Sequence, residues 1–424
     1  MVRVIVWFPV GCAPDHLAPI GDISLAQAER ALEGSVATDD GDSSLGYYGI
    51  AAGDVDSDGR LDLAATDFGV GARVGLSPDF EPIDFKGFAV SVALVDVLAG
   101  AGDDLLIGRR TGGVTDCYYG EELFAQVGVE VFTKGGGGMV PAATLTVIAT
   151  QCSTGDPQLM RVGDTDGDGR PELGVGIDSG FYLISEIPAD GAVEDLAKAK
   201  LAGPPESYEQ VGVRFASGDL DGDGLWEIIA SSGIYDTGYS AVVAAPPFSG
   251  AVVFDPDGSA TLTGLPNPEL ASGGDLDGDG LHDLVAANGE VWVFSGPLAG
   301  ALGPDAAAAT LAAHPFPETP LYEVAVAADL DGDDVDDLLA GSASDVGAQA
   351  GGVVAVWYGP VSGARTLLEA DARLLGESPG DEAGAKVLGP GGVNGDGYGD
   401  IVVAATNWDG GRGAVYVLAG GRHE

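Results

Sequence analysis

Four acidic side chains fall within nine residues in one segment of the chain, residues 219–227, which read DLDGDGLWE. Acids at loop positions 1, 3, 5 and 9 direct several carboxylates toward one tight turn, and the glycine at position 6 permits the backbone to reverse there. The main-chain carbonyl of position 7 can add another oxygen. Such a set of hard ligands suits Ca²⁺, which takes about six to eight oxygens, better than Mg²⁺, which keeps its waters. The segment therefore predicts a calcium-binding loop.

The same pattern recurs along the chain. Four further full copies begin at Asp54, Asp164, Asp275 and Asp329. The last of them carries Asp334 at position 6, a sixth copy has Gly392 at position 1, and residues 96–104 keep only the acidic ends of the pattern. Without a cation, carboxylates at close range repel one another, which makes solvated acidic turns a costly alternative in every repeat.

The spacing of the copies indicates the architecture that must position them. Successive copies start about 55 residues apart, which suits a four-stranded propeller blade with long loops. A short run rich in Ala and Val follows each loop, as expected for a strand. Seven units predict an all-β, seven-bladed β-propeller of four-stranded antiparallel blades. Residues 28–34 read AERALEG and are similar to residues 370–376, ADARLLG, so we expect them to close the ring as the fourth strand of the last blade.

An EF-hand is the main alternative for such loops, because it begins with the same alternation of acids. It also needs an acid at position 12 and flanking helices. Position 12 holds only small apolar residues here, namely Ala65, Val175, Ala230, Ala286 and Ala340. None of these side chains can bind a metal, so we expect the acid of position 9 to begin a strand instead.

These loops resemble the FG-GAP repeats of the integrin α-subunit headpiece and its bacterial relatives. The segment Gly46-Tyr-Tyr-Gly49 resembles the Phe-Gly element of that family, and residues 384–390 resemble its Gly-Ala-Pro element. The resemblance covers roughly residues 28–424, a single propeller. It implies Ca²⁺ in the loop between the first two strands of a blade, with no ion in the second blade. It also implies a non-catalytic scaffold for adhesion or protein interaction outside the cell or at its surface.

The residue pattern and the resemblance together predict about five or six Ca²⁺ ions and a set of ligands. The acids of the five full loops are Asp54, Asp56, Asp58, Asp62, Asp164, Asp166, Asp168, Glu172, Asp219, Asp221, Asp223, Glu227, Asp275, Asp277, Asp279, Asp283, Asp329, Asp331, Asp333 and Asp337. The main-chain carbonyls at position 7 belong to Arg60, Arg170, Leu225, Leu281 and Val335. The loop of the seventh blade would use Asn394, Asp396, Tyr398 and Asp400, and its occupancy stays open because Gly392 replaces the first carboxylate.

The charge of the chain limits its partners. Asp and Glu number 66 against 18 Lys and Arg, for a formal net charge of −48. Such a chain should repel nucleic acid and anionic membranes and attract cations. No run of 18 apolar residues occurs, so the sequence predicts no transmembrane helix. We expect a monomer with its protein or carbohydrate partner on the face opposite the calcium loops, in a calcium-rich exterior.

Two features lie apart from the repeats. Residues 1–12 end in Gly-Cys and resemble the end of a bacterial lipoprotein signal, with Cys12 as the lipid anchor, so residues 1–27 form a leader in this interpretation. The alternative is a plain strand in the apolar run before Pro9. Residues 111–157 lengthen the second blade, and Cys117 and Cys152 bracket much of this insertion. They form a disulfide or two buried thiols, and the insertion is a binding element or a simple hairpin.

The sequence contains no motif of an enzyme. The four His form no zinc-like pair, and neither a phosphate-binding loop nor a dinucleotide fingerprint occurs. A carbohydrate-binding propeller is the closer alternative, through Phe68, Tyr235, Tyr239 and Trp408, which are expected on the face opposite the calcium loops. A calcium-dependent polysaccharide lyase is a remoter one, with Arg109 and Arg110 as its basic residues.

Overall fold

A computed structural model describes most of the chain, and its strands form seven sheets around a central channel. The described residues are 21–34, 44–67, 70–98, 100, 102–110, 126–136, 138–148, 157–177, 180–203, 211–232, 240–254, 260–312, 320–343 and 351–422. Each sheet contains four antiparallel strands that follow one another outward from the channel. The predicted seven-bladed β-propeller is therefore confirmed.

The first three blades come from residues 45–202. Blade one consists of Leu45–Gly53, Asp62–Asp67, Gly71–Leu76 and Glu81–Lys86. Blade two consists of Ala89–Val95, Asp104–Arg110, Gln126–Gly135 and Gly138–Ile148. Blade three consists of Gln158–Val162, Glu172–Ile177, Gly180–Ile184 and Ala199–Ala202. The segment 111–157 thus supplies the third and fourth strands of blade two itself, whereas Cys117 and Cys152 lie outside the described residues.

The next three blades repeat this order. Blade four consists of Val211–Gly218, Glu227–Ser232, Ala241–Ala244 and Thr261–Leu262. Blade five consists of Glu269–Ala271, Leu284–Ala287, Val291–Phe294 and Ala309–Ala312. Blade six consists of Glu323–Ala327, Asp337–Ser342, Val353–Trp357 and Ala372–Leu375. Short helical turns lie at Leu25–Gln27, Val193–Leu196, Pro304–Ala306, Leu367–Glu369 and Trp408–Gly411.

Blade seven joins the two ends of the described chain. Its first three strands are Ala383–Leu388, Asp400–Ala405 and Ala414–Ala419, and its fourth is the N-terminal strand Glu29–Glu33. This strand pairs antiparallel with Ala414–Ala419, with Leu32 opposite Val415. Ring closure by residues 28–34 is therefore confirmed, and it removes the two open sheet edges that an incomplete ring would expose.

Five blades carry an additional, parallel strand at their outer edge that the repeat analysis did not predict. In four of them it comes from the connection between the third and fourth strands of the following blade, namely Gly191–Ala192, Gly250–Val253, Ala301–Leu302 and Gly363–Thr366. In blade six it is Gly21–Ser24, just before the ring-closing strand. We call these segments latch strands, because each one ties a blade to its neighbour.

Packing between blades explains the composition of the strands. The second strands Asp62–Asp67, Glu172–Ile177, Asp337–Ser342 and Asp400–Ala405 are buried at every residue. Neighbouring blades cover both faces of such a strand, so it reads as a largely apolar run after its first acid. The seven buried apolar clusters run mostly between adjacent blades, and this burial stabilises the ring as one body.

Candidate metal centres

The acidic loops all join the first strand of a blade to the second, so they lie together on one face of the propeller. In each full loop the carboxylate of position 1 accepts hydrogen bonds from backbone N–H groups of the same loop, and the turn forms around it. In blade five the two carboxylate oxygens of Asp275 accept the backbone N–H groups of Gly278 and Gly280, both at 2.7 Å. In blade six Asp334 replaces the second glycine and keeps its left-handed backbone, with φ of 68°. Its N–H still reaches Asp329 at 3.0 Å, so the loop geometry survives the substitution.

Each full loop brings three carboxylates together. In blades one, five and six the acids of positions 1, 3 and 5 offer oxygens within 4.8 Å of one another, and in blades three and four the acids of positions 1, 3 and 9 do so. These clusters are Asp54/Asp56/Asp58, Asp275/Asp277/Asp279, Asp329/Asp331/Asp333, Asp164/Asp166/Glu172 and Asp219/Asp221/Glu227. Position 9 joins the cluster where it is Glu, whose additional methylene lengthens its reach.

Where position 9 is Asp, its two oxygens hold the backbone. In blade five one oxygen of Asp283 accepts the N–H of Leu276 at 2.7 Å, and the other accepts the N–H of Gly296 at 3.1 Å. Asp62, Asp337 and Asp400 make the same two bonds, to position 2 of their loop and to the residues after the third strand. A position-9 Asp therefore ties the loop to the blade, and its role as a metal ligand stays a prediction.

Position 7 is fixed by its N–H group. In all six loops this N–H donates to the carboxylate of position 5, at 2.8–2.9 Å. The residues concerned are Arg60, Arg170, Leu225, Leu281, Val335 and Tyr398. The bond orients the peptide that carries the predicted carbonyl ligand, whose binding of a metal also stays a prediction.

Burial and mutual repulsion raise the pKa values of the position-9 acids. Burial raises them most, and the neighbouring carboxylates of the same loop add to it. The pKa reaches about 6 for Asp62, about 7 for Glu227, Asp283 and Asp400, and about 8 for Asp337. A bound cation would reverse this preference for the protonated form, because opposite charge favours the carboxylate.

Two buried oxygens test whether a cation fits these loops. Among the described residues, the full loops contain two carboxylate oxygens that are buried and accept no hydrogen bond, Oδ1 of Asp56 and Oε1 of Glu227. Oδ1 of Asp96 in the degenerate loop of blade two is also buried without a hydrogen bond, but the guanidinium of Arg170 lies 2.9 Å from it. A buried carboxylate oxygen without a partner costs about 1–3 kcal/mol or more, and such groups usually have an ion or a water to explain them. Hard oxygen donors at this density fit Ca²⁺. The residues present therefore fit the predicted ion.

The two degenerate loops differ from the full ones. In blade seven the amide of Asn394 donates to Asp396 at 2.9 Å and to Asp400 at 3.3 Å. The side-chain amide thus supplies hydrogen-bond donors to the carboxylates. In blade two Asp104 keeps the bond of position 9 to position 2, because it accepts the N–H of Val97, and it also accepts the N–H of Leu98. Neither loop contributes a group of three acids among the described residues.

The loops are also bonded to one another around the ring. The N–H of position 8 in one loop donates to the position-1 carbonyl of the preceding loop, as His282 does to Asp219 at 3.0 Å. Asp103, Trp226, Asp336 and Gly399 make the corresponding bond. The imidazole Nδ1 of His282 in turn accepts the N–H of Asp219 at 2.9 Å. Sequence analysis did not find this chain of contacts, because position 8 has no common residue type.

The residues predicted for the carbohydrate alternative are placed only in part. Phe68, Tyr235 and Tyr239 lie outside the described residues. Trp408 is covered by two cations, since the guanidinium carbon of Arg30 lies 4.1 Å from its ring centroid and that of Arg412 lies 5.5 Å away. Its ring thus packs within the protein, which disfavours it as a platform for a sugar.

The basic residues predicted for the lyase alternative are similarly occupied. Arg109 is buried, and its guanidinium donates to Glu130 at 2.5 Å and to the carbonyl of Gly87 at 2.7 Å. The side chain of Arg110 lies outside the described residues. The central channel holds a cavity of about 500 Å³, where Glu323 pairs with Lys386 and Glu269 pairs with Arg214. In the described part of the chain, Arg109, Arg214 and Lys386 are thus each paired with a carboxylate.

Comparison with known proteins identifies the repeat. The model of the FG-GAP repeat family matches residues 388–418, within blade seven. The chain thus carries an FG-GAP repeat on a seven-bladed propeller, as the resemblance implied. No curated protein sequence matches the chain significantly. Among the described residues, no helix combines the length and apolar character needed to span a bilayer.

Solved structures of very different sequence share the fold. A crystal structure of BBS1N in complex with ARL6DN matches with a TM-score of 0.53 at 10% identity, over 93% of this chain and 98% of that one. The polycomb repressive complex 2 of Chaetomium thermophilum, bound to GSK126, gives 0.55 at 10% identity, over 93% and 99%. An active polycomb repressive complex 2 in its basal state gives 0.55 at 10%, over 94% and 99%. Identities this low support the fold alone.

Proposed function

We propose that this FG-GAP propeller is a non-catalytic, calcium-binding scaffold for protein interaction. The observation that carries the proposal is the five clusters of three carboxylates, one in each full loop, on the same face of the ring. Within the full loops, the buried oxygens of Asp56 and Glu227 that have no hydrogen-bond donor support a cation in preference to a solvated turn. Propellers of this repeat family are typically non-catalytic.

The role of the ion in this proposal is structural. Each cation would join the first and second strands of a blade and offset the repulsion within a loop. Because neighbouring loops are bonded from position 8 to position 1, ordering of one loop supports the next. Ligand binding to the folded state stabilises it by about 2.7 kcal/mol per site at a hundredfold excess over Kd. Metal binding and folding are therefore expected to be strongly coupled.

An extracellular or cell-surface location follows from the same proposal. FG-GAP repeats occur in extracellular and surface proteins, where millimolar calcium fills even weak sites of this kind. The net charge of −48 is compatible with such a medium. Whether Cys12 carries a lipid anchor belongs to this proposal too, and incorporation of labelled palmitate in a bacterial host, compared with Cys12→Ser, would test it.

We place the partner surface on the face opposite the loops. Tyr47 and Tyr322 lie near the starts of first strands, so they belong to that face, and they are 52% and 56% exposed. Exposed aromatic rings are favoured at protein interfaces and also stack on sugars. A glycan array and a surface-protein pull-down, each repeated with Tyr47→Ala and Tyr322→Ala, distinguish a protein partner from a carbohydrate.

Calcium binding is tested by removing and restoring the ion. Protein stripped with chelator is titrated with Ca²⁺ or Mg²⁺, bound metal is counted by elemental analysis, and thermal unfolding is followed. We expect about five or six calcium ions, a higher melting temperature and a much weaker response to magnesium. Asp221→Asn should remove one ion, whereas the exposed Asp305→Asn outside the loops should remove none. No bound calcium and an unchanged melting temperature would refute the proposal.

A further inference from the structure

We propose that Lys198 is a built-in cation of the blade-three loop and keeps the calcium affinity of that loop below that of the other full loops. This inference rests on the proposed calcium binding and concerns how the five loops differ. It makes Lys198 a residue that determines metal occupancy, although it is no metal ligand.

The ammonium group of Lys198 bridges two of the three clustered acids. Its Nζ lies 2.8 Å from Oδ2 of Asp166, at position 3, and 2.5 Å from Oε1 of Glu172, at position 9. The side chain of Glu172 is 1% exposed, so this ion pair is shielded from solvent on one side. A calcium ion takes carboxylate oxygens at about 2.3–2.6 Å. An ion bound by these same oxygens would lie beside the ammonium, and like charges at that distance repel strongly.

The blade-four loop provides a natural comparison. Its cluster uses the same three positions, in Asp219, Asp221 and Glu227. There, Oε1 of Glu227 is buried and has no hydrogen-bond donor among the described residues. The corresponding oxygen of Glu172 is the one that Lys198 binds. Two loops with the same acids therefore differ in a single internal cation.

The position of Lys198 in the blade explains how its ammonium reaches two acids of this loop. Lys198 directly precedes the fourth strand Ala199–Ala202, and its N–H donates to Leu183 of the third strand at 2.9 Å. Its carbonyl accepts the N–H of Gly250 from the latch strand. These two hydrogen bonds fix the backbone of Lys198, from which the side chain extends to the loop. The residues directly before the fourth strands of blades four, five and six are Ala260, Ala308 and Asp371.

A second lysine, Lys134, contacts the blade-one loop in a different way from that of Lys198 at the blade-three loop. Nζ of Lys134, in the third strand of blade two, lies 3.5 Å from Oδ2 of Asp56 in the blade-one loop, at the limit of a hydrogen bond. Among the described residues, Lys134 pairs with one carboxylate of that cluster, and Oδ1 of Asp56 still has no donor. Lys134 therefore leaves the blade-one cluster with an unsatisfied oxygen, whereas Lys198 joins two carboxylates of its cluster.

The test exchanges the cation between the two loops. Lys198→Ala gives blade three the residue of blade four, and Ala260→Lys does the reverse. We expect Lys198→Ala to bind one more calcium ion than the wild type at limiting calcium, or to raise the affinity of one site at least tenfold. Ala260→Lys should lower the affinity of one site. Adding Asp166→Asn to Lys198→Ala should remove the gained ion, which assigns it to blade three.

Controls keep the outcomes distinct. Lys200→Ala removes a lysine that lies 5.1 Å from the ring of Tyr182, and it should leave the ion count unchanged. Lys198→Met retains the aliphatic stem and should reproduce the alanine variant if packing is not the cause. In chelator, Lys198→Ala should melt below the wild type, and calcium should restore it. Equal affinities in the wild type and Lys198→Ala, with five ions in both, would overturn this inference and leave the proposed function standing. No calcium in any variant would overturn both.

Discussion

Arg30 of the ring-closing strand lies over the indole of Trp408, with its guanidinium carbon 4.1 Å from the ring centroid. The same guanidinium donates to Glu377 at 2.6 Å, and the hydroxyl of Tyr416 donates to Glu377 at 2.8 Å. The pKa of Arg30 is raised: burial lowers it, but its hydrogen bonds to Glu377 and Glu33 outweigh that effect. These contacts connect the N-terminal strand to blade seven and to residue 377, which follows blade six.

Weakening the contacts of Arg30 should lower the free energy of unfolding of the propeller. Arg30→Met keeps an apolar stem but removes the charge and its hydrogen bonds, at a cost of about 1–3 kcal/mol. Chemical denaturation measures the free energy of unfolding. Glu377→Gln should cost a similar amount, and the double variant should cost clearly less than the sum, because both remove one network. Strictly additive effects would show that the two residues act separately.

The stability of the ion-free protein should depend on pH in an unusual direction. The pKa values of Asp62, Asp283 and Asp337 are raised to about 6, 7 and 8, from an ordinary value of 3.8, chiefly by burial. At pH values between the ordinary pKa and the raised pKa of each acid, the folded state binds more protons than the unfolded state. The free energy of unfolding therefore falls as pH rises through this range. We expect metal-free protein to melt at a lower temperature at pH 8.5 than at pH 5.

Calcium should cancel this dependence, since a cation favours the ionised carboxylate. Metal is best removed on a chelating resin, because soluble chelators lose affinity in acid. A melting temperature of the metal-free protein that rises steadily from pH 5 to pH 8.5 would contradict the assignment of the raised pKa values to these acids.

Substitutions of two acids in the blade-five loop should distinguish a structural role from metal binding. Asp283 uses both oxygens to accept backbone N–H groups, from Leu276 and Gly296. Asp283→Asn leaves a single carbonyl for two donors and should cost about 1–3 kcal/mol even in chelator. Asp277→Asn at position 3 should have little effect in chelator but should lose one calcium ion. Equal destabilisation by both variants in chelator would show that Asp277 is structural as well.

The latch strands offer a test that does not involve metal. Gly363 begins the latch strand on blade five with φ of 72°, and no atom would lie within 4 Å of an added Cβ. Any cost of substitution therefore comes from the backbone alone. Gly363→Val should cost about 1–2 kcal/mol, and Gly363→Asn should cost less, because Asn tolerates this conformation better. Thermal unfolding distinguishes them, and equal effects would point to a steric cause.

Much of the site could be predicted from the sequence because its determinants are local. The acid of position 1 bonds to N–H groups within five residues of itself, so one short segment specifies the turn. The strand that follows each loop is apolar for the same local reason, and the ring-closing strand could be found because residues 28–34 repeat residues 370–376. Even the latch strands have a signal that could have been used, because four of them begin at the Gly-Ala end of a Pro-x-x-Gly-Ala segment, as after Pro360.

Only the tertiary structure decided what fills the space around each loop. Lys198 lies 26 residues from Glu172 in the chain and meets it because the second, third and fourth strands of blade three pair side by side. Arg30 and Trp408 are 378 residues apart in the chain, and Arg30 covers the indole only because the ring closes. The sequence by itself determined the repeat, the acidic loops and the blade count, since each depends on residues close in the chain. Which oxygens stay unsatisfied, and which already have a cation, depends on distant segments whose pairing no local pattern encodes.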